Sequence, residues 1–115
     1  QKSQLDTLKP EYLCISPGDF GFHNAILTAK RTVFIDFEYA GWDDPAKLYL
    51  DFFFQPKNPV PETKYLSEKL LEILNNRQNE HYLRYRIELL RPVLFIKWCC
   101  IILAFLDKNR INKLD

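Results

Sequence analysis

From Pro45 to Leu106 the apolar residues recur at helical spacing, and any fold of this chain has to bury that surface against something. Asp44-Pro45 reads as a helix start. The acid accepts from amides the first turn leaves unpaired, and proline's missing N–H costs nothing there. A first helix is expected over residues 45–54, with Leu48, Phe52 and Phe53 turned inward. A loop with three prolines follows over 55–61. A second helix over 62–75 would carry Leu66, Leu70, Leu71 and Leu74 on one face and end at Asn75-Asn76. A third is expected over 80–107, broken near Pro92, because proline removes a donor and its ring clashes with the preceding turn. The run from Pro92 to Leu106 holds Lys97 and is short for a membrane span, so it reads as a buried core helix.

Before these helices the pattern changes. Residues 12–16 form a short strand-like run that Pro17-Gly18 stops, and a polar loop continues to Asn24. Residues 25–28 are a second apolar run, and 29–31 a tight polar connection. Thr32-Val33-Phe34-Ile35-Asp36-Phe37 is the clearest strand, so 25–37 reads as a β-hairpin. The fold class is therefore mainly α with a small β-hairpin. Trp42 and the Phe52-Phe53-Phe54 run read as core, and Arg84, Arg86, Arg91 and Lys97 as solvated helical faces.

Composition narrows the partners. A chain of 115 residues, 47% hydrophobic, is sized for a single domain over 1–115 and is too apolar for general disorder. A net charge of +1 gives no global pull toward nucleic acid or anionic lipid, so neither a nucleic-acid nor a membrane partner is expected. There is no Met and residue 1 is Gln, so the chain reads as a piece of a larger protein. Cys14, Cys99 and Cys100 lack the spacing of a disulfide framework or a zinc site. They read as buried thiols of a cytoplasmic protein.

The loop Ser16-Pro17-Gly18-Asp19-Phe20-Gly21-Phe22-His23-Asn24 carries the candidate chemistry. Asp19 and Asn24 are five apart. Asp36 lies twelve residues further on in an apolar run, where a buried carboxylate is costly unless a metal or hydrogen bonds compensate it. Mg²⁺ takes oxygen ligands, commonly one or two from protein with the rest from phosphate and water. Asn24 and Asp36 would supply two, leaving Asp19 to accept a proton from a hydroxyl or to orient it. That is the layout of phosphoryl transfer in kinases. The bare spacing decides little: eight Asp and seven Asn give about half a chance pair, and Asp107 with Asn112 is a second instance. The context of strand, Gly-Asp loop, hairpin and acid carries the weight. His23 reads as a loop histidine bonded to backbone. Asp43 and Asp44 read as a capping pair, Asp51 as a brace for the loop, and Glu38 as a metal assistant or an exposed charge.

Residues 16–51 resemble the catalytic core of the aminoglycoside phosphotransferase and choline kinase-like enzymes. Those carry a His-Gly-Asp loop, an Asn five residues after the Asp, an Ile-Asp-Trp/Phe-Glu run and a Gly-Asp-Pro turn before an apolar helix. The matching pieces are Gly18-Asp19, Asn24, Ile35-Asp36-Phe37-Glu38, Ala40-Gly41 and Asp43-Asp44-Pro45. The resemblance implies the C-terminal, helical lobe of a protein kinase-like fold. It also implies transfer of the ATP γ-phosphoryl group to a hydroxyl of a small polar molecule. Asp19 would be the catalytic base, and Asn24 and Asp36 would hold Mg²⁺ and, through it, ATP. Two departures accompany it. Pro17 stands where the family has its His, and nothing before residue 12 matches the family's nucleotide-covering N-terminal lobe. A chain without that lobe is expected to have little activity alone. A non-catalytic, pseudokinase-like binding module and an unrelated Mg²⁺-dependent phosphohydrolase are the other readings.

Overall fold

The helix start at Asp44 organises the molecule. In the computed structural model, which describes residues 8–75 and 79–113, helix α1 covers Pro45–Phe54, the expected span. Asp44 Oδ1 accepts from the Ala46 amide at 2.9 Å, closing the first turn. Helix α2 covers Lys64–Leu74. It begins two residues later than expected because Thr63 is its cap, its hydroxyl accepting from the Leu66 amide. Leu71 is buried and Leu66, Leu70 and Leu74 pack against the core, as the spacing predicts. Asn75 caps α2; Asn76 lies outside the described residues, as do residues 1–7.

Helix α3 runs unbroken over Glu80–Asn112, and the expected break at Pro92 does not occur. Proline's cost is met by packing on both sides of it. Leu83 and Ile87 before Pro92, and Leu94 after it, enter the same buried cluster against α1, so a kink would cost more contacts than it saves. The expectation that residues 92–106 are a buried core helix is overturned as well. Only Leu94 is buried there, while Phe95, Ile96, Leu103 and Phe105 are more than half exposed. Length is the reason. At the helical rise α1 spans about 15 Å and α3 about 50 Å, so α1 covers only part of α3. By length and composition alone, residues 80–108 are long and apolar enough to cross a membrane, with a mean hydropathy of 2.1 over their most apolar stretch.

The β part is smaller and more divided than expected. Strands β1 (Cys14–Ser16) and β4 (Gly41–Asp43) pair antiparallel, Ser16 opposite Gly41. Strands β2 (Ala25–Leu27) and β3 (Thr32–Phe34) form the expected hairpin, Ala25 opposite Phe34. Its 28–31 connection is closed by the Thr28 amide donating to the Arg31 carbonyl at 2.9 Å. The β1–β4 pair, which sequence pattern did not reveal, sets Cys14 at the start of β1 opposite Asp43, beside the start of α1.

Charges expected to be solvated are mostly paired. Asp51, 8% exposed, sits among Lys47, Lys97 and Trp98 rather than at the loop. Arg86 meets the Asp44 carboxylate, and Arg91 grips Glu62 with two bonds. Of the aromatics read as core, Phe52 and Phe53 are buried but Trp42 is 66% exposed. The cysteines are partly buried (Cys14, Cys99) or exposed (Cys100), not buried thiols. Burial, with Asp43 and Asp44 nearby, pushes the Cys14 thiol above its ordinary pKa.

Candidate functional site

The loop between β1 and β2 is fixed from beneath by aromatic rings. Phe20 stacks on Phe52 of α1 at 5.2 Å and meets Phe34 of β3 at 5.4 Å, and Phe22 meets Phe52 edge-on. These anchors hold the backbone of Asp19 between the hairpin and α1. Gly18 makes the turn. Its φ is +88°, and a Cβ there would lie 2.7 Å from the Tyr39 carbonyl oxygen, so glycine is required twice over. The Ser16 hydroxyl, itself buried, accepts from the Gly18 amide at 3.1 Å.

Three groups orient Asp19. The Asn24 amide nitrogen donates to its main-chain carbonyl at 2.9 Å. On the carboxylate, Gln55 Nε2 donates to Oδ1 at 3.2 Å, and His23 Nε2 lies 3.0 Å from Oδ2. An ionised carboxylate only accepts, so that imidazole nitrogen carries the proton. His23 is therefore a partner of Asp19, not of backbone as its sequence setting suggested. Its side chain is 6% exposed, whereas the Asp19 side chain remains 42% exposed. The site thus has a supported but accessible carboxylate. Gln55, at the end of α1 and 4% exposed, was not singled out in the sequence, where it stands 36 residues away in a loop. His23 did carry a signal: it is four residues after Asp19, and the 3₁₀ turn Phe22–Asn24 brings the two together.

Asp36 lies one residue beyond the position that pairs with Asn24. The Ile35 amide donates to the Asn24 carbonyl at 2.9 Å, extending the β2–β3 ladder by one step, and Asp36 follows. The expectation of an acid buried inside a strand over 32–37 is corrected here. The strand ends at Phe34, and Asp36 and its neighbours Ile35 and Phe37 are exposed. The physical reason is the backbone. Asp36 has φ of +66°, the sole non-glycine residue with positive φ among the described residues, and that conformation leaves the ladder. Burial cost therefore says nothing about Asp36. Its left-handed backbone marks it instead, a conformation that Asp tolerates in turns and that also recurs at functional sites. Glu38 is exposed in the turn that follows, which the Ala40 amide closes by donating to the Phe37 carbonyl.

The donor set is hard. Asn24 commits its amide nitrogen to Asp19, which leaves its oxygen on the other branch of the amide, and Asp36 offers a carboxylate. Among the described residues no group of three or more His, Cys, Asp or Glu comes together as a metal site. Two oxygens completed by phosphate and water suit Mg²⁺ and do not suit zinc.

Beside Asp19 opens a cavity of about 520 Å³, with Gln55 and Lys57 at one side and Trp98 and Phe105 of α3 at the other. A larger depression of about 770 Å³ on α2 and α3 is lined by charges such as Lys69 with Glu72 and Arg84 with Glu80, which pair with each other. No loop residue reaches it. Comparison with family models, with curated proteins and with solved structures finds no match. The chain's own residues carry the functional reading.

Proposed function

We propose that this chain is the catalytic lobe of a small-molecule phosphotransferase that moves the γ-phosphoryl group of ATP to a hydroxyl of its acceptor. The observation that carries the reading is the direct hydrogen bond from the Asn24 amide to the Asp19 carbonyl; Asp36, at positive φ, follows Ile35, whose own amide donates to the Asn24 carbonyl. Asp19 accepts the hydroxyl proton or holds the hydroxyl for in-line attack, its carboxylate aimed by Gln55 and His23. Asn24 and Asp36 are the residues that would hold Mg²⁺, which supplies charge neutralisation on the phosphates when bound. The proposal includes the resemblance to the aminoglycoside phosphotransferase and choline kinase-like enzymes. It also includes a nucleotide-covering lobe encoded upstream.

A second reading is a pseudokinase-like binding module. Pro17 favours it, because it cannot supply the side-chain brace of the family's His. His23 opposes it, because it braces the same carboxylate from four residues further on. The test is Mg²⁺-dependent ATP consumption by protein from the whole reading frame, against a panel of hydroxyl acceptors. Acceptor-dependent turnover that Asp19→Ala abolishes supports phosphotransfer. Nucleotide binding without turnover for any acceptor supports the module.

A further inference from the structure

The cavity beside Asp19 has one wall of a single kind. Trp98, Ile101, Ile102, Phe105 and Leu106 follow one another at i, i+3, i+4, i+7 and i+8, one face of α3, and all five line the cavity. Four of them stand exposed, from Ile102 at 40% to Phe105 at 65%, so the wall is apolar surface open to a visitor. The position of this wall is fixed by Asp51 of α1, which accepts from Lys97 Nζ and Trp98 Nε1, each at 2.8 Å. The indole N–H is thereby used, and Lys97 Nζ lies over the ring at 5.1 Å from its centroid, so the cavity meets the rest of the ring as an apolar contact.

The charges in the cavity are few. Asp19 is the one carboxylate in its lining and already accepts from Gln55 and His23; Lys57 brings an ammonium to the same side. A polycationic acceptor needs several carboxylates to replace its hydration, and this lining has one beside a like charge. A quaternary ammonium would meet the rings of Tyr39, Trp98 and Phe105, but it would also trade water for three aliphatic side chains beside the like-charged Lys57. A hydroxyl placed at Asp19 on an uncharged hydrocarbon body fits both parts of the surface.

We propose that the acceptor is an uncharged amphipathic alcohol: a hydroxyl presented to Asp19 on a compact hydrocarbon body seated against the 98–106 face of α3. This rests on the phosphotransfer reading for the role of Asp19, but the binding surface is testable without turnover. The experiment uses the chain with Trp42→Phe, so that Trp98 is the sole tryptophan reporter; Trp42 is exposed on β4 and outside the cavity. Fluorescence is titrated with borneol, choline and kanamycin.

The expected result is saturable quenching or shift by borneol, at least about tenfold tighter than by choline or kanamycin. Ile102→Glu should weaken it by about tenfold or more while leaving the far-ultraviolet circular dichroism unchanged, because Ile102 contributes exposed surface. Asp19→Asn should retain it. Equal or tighter binding of choline or kanamycin overturns the proposal. So does sedimentation of the chain with phosphatidylcholine vesicles that Phe105→Glu abolishes, without any borneol response. The two readings fail separately. Asp19-dependent phosphorylation of choline or kanamycin by the whole protein sinks the acceptor class and keeps phosphotransfer. Borneol binding with no Asp19-dependent turnover of any alcohol keeps the binding surface and sinks phosphotransfer.

Discussion

Replacing Asp51 by alanine tests how α3 is held, and with it the cavity wall. The Asp51 side chain is 10% exposed and accepts three bonds: Lys97 Nζ at 2.8 Å, Trp98 Nε1 at 2.8 Å and Lys47 Nζ at 3.0 Å. Removing one partner of a well-buried ion pair costs about 3–5 kcal/mol. Two features reduce that here. The Lys47 and Lys97 side chains are 36% and 38% exposed and turn to water when released, and Lys47 keeps Asp43 at 2.7 Å. The Trp98 bond to the charged acceptor is lost outright, a class worth about 1.5–3 kcal/mol. The expected loss for Asp51→Ala is therefore about 2–3 kcal/mol. With a urea slope of about 1–2 kcal/mol/M for a chain this size, the midpoint moves by roughly 1–3 M. Lys97→Met in the same background gives a coupling of about 0.5–1.5 kcal/mol, since only one of the three bonds is shared. Trp98 emission should shift to the red in Asp51→Ala with or without Lys97→Met. A loss under about 1 kcal/mol with unshifted emission would refute the claim that Asp51 fixes α3 against α1.

Three further outcomes follow from other parts of the structure. Arg91, with two bonds to Glu62, holds that carboxyl below its ordinary range against the opposing effect of burial, and the Tyr49 hydroxyl adds a third bond. The folded state thus binds fewer protons there than the unfolded chain. This stabilisation is complete above the ordinary Glu value of about 4.3 and is lost as pH falls through the depressed one, so Glu62→Gln should flatten that part of the stability–pH curve. Burial drives the Tyr49 phenol the other way, up to about 12, so it stays a donor to Glu62 throughout. Gly18→Ala meets both a left-handed φ and the Tyr39 carbonyl, and should destabilise by about 1–3 kcal/mol in thermal melts. An unchanged melt would mean that the Asp19 turn is not held as described. Gln55→Leu removes a donor to a charged acceptor and should cost about 1.5–3 kcal/mol in urea titration.

The helices were legible because their signals are local. Asp44-Pro45 located the start of α1 to the residue, and the Leu66 to Leu74 spacing identified the inner face of α2. Pro92 misled, since a local penalty cannot register the Leu83, Ile87 and Leu94 contacts that outweigh it. The 92–106 run misled for a related reason: hydropathy reports what a segment prefers, not whether a ten-residue neighbour is long enough to cover it. In the loop, spacing picked out Asp19, Asn24 and Asp36; Asn24 bonds the Asp19 carbonyl, and Asp36 stands exposed beyond the hairpin. The backbone turn that frees Asp36 from the strand has no signature in Ile35-Asp36-Phe37, which reads as continuous β. The support of Asp19 by Gln55 could not be read at all, because a hydrogen bond between residues 36 apart exists only once α1 has packed beneath the loop.

The most direct test of the central claim compares Asp19→Asn, Asn24→Ala and Asp36→Asn in the whole protein, measuring kcat across a Mg²⁺ titration. If the three residues form one phosphotransfer site, Asp19→Asn lowers kcat by about 10²–10⁴-fold with the Mg²⁺ requirement unchanged. Asn24→Ala and Asp36→Asn then raise the Mg²⁺ concentration needed for half-maximal rate. Equal activity and equal Mg²⁺ dependence across all three variants would contradict it, and Asp19, Asn24 and Asp36 would then be loop structure without chemistry.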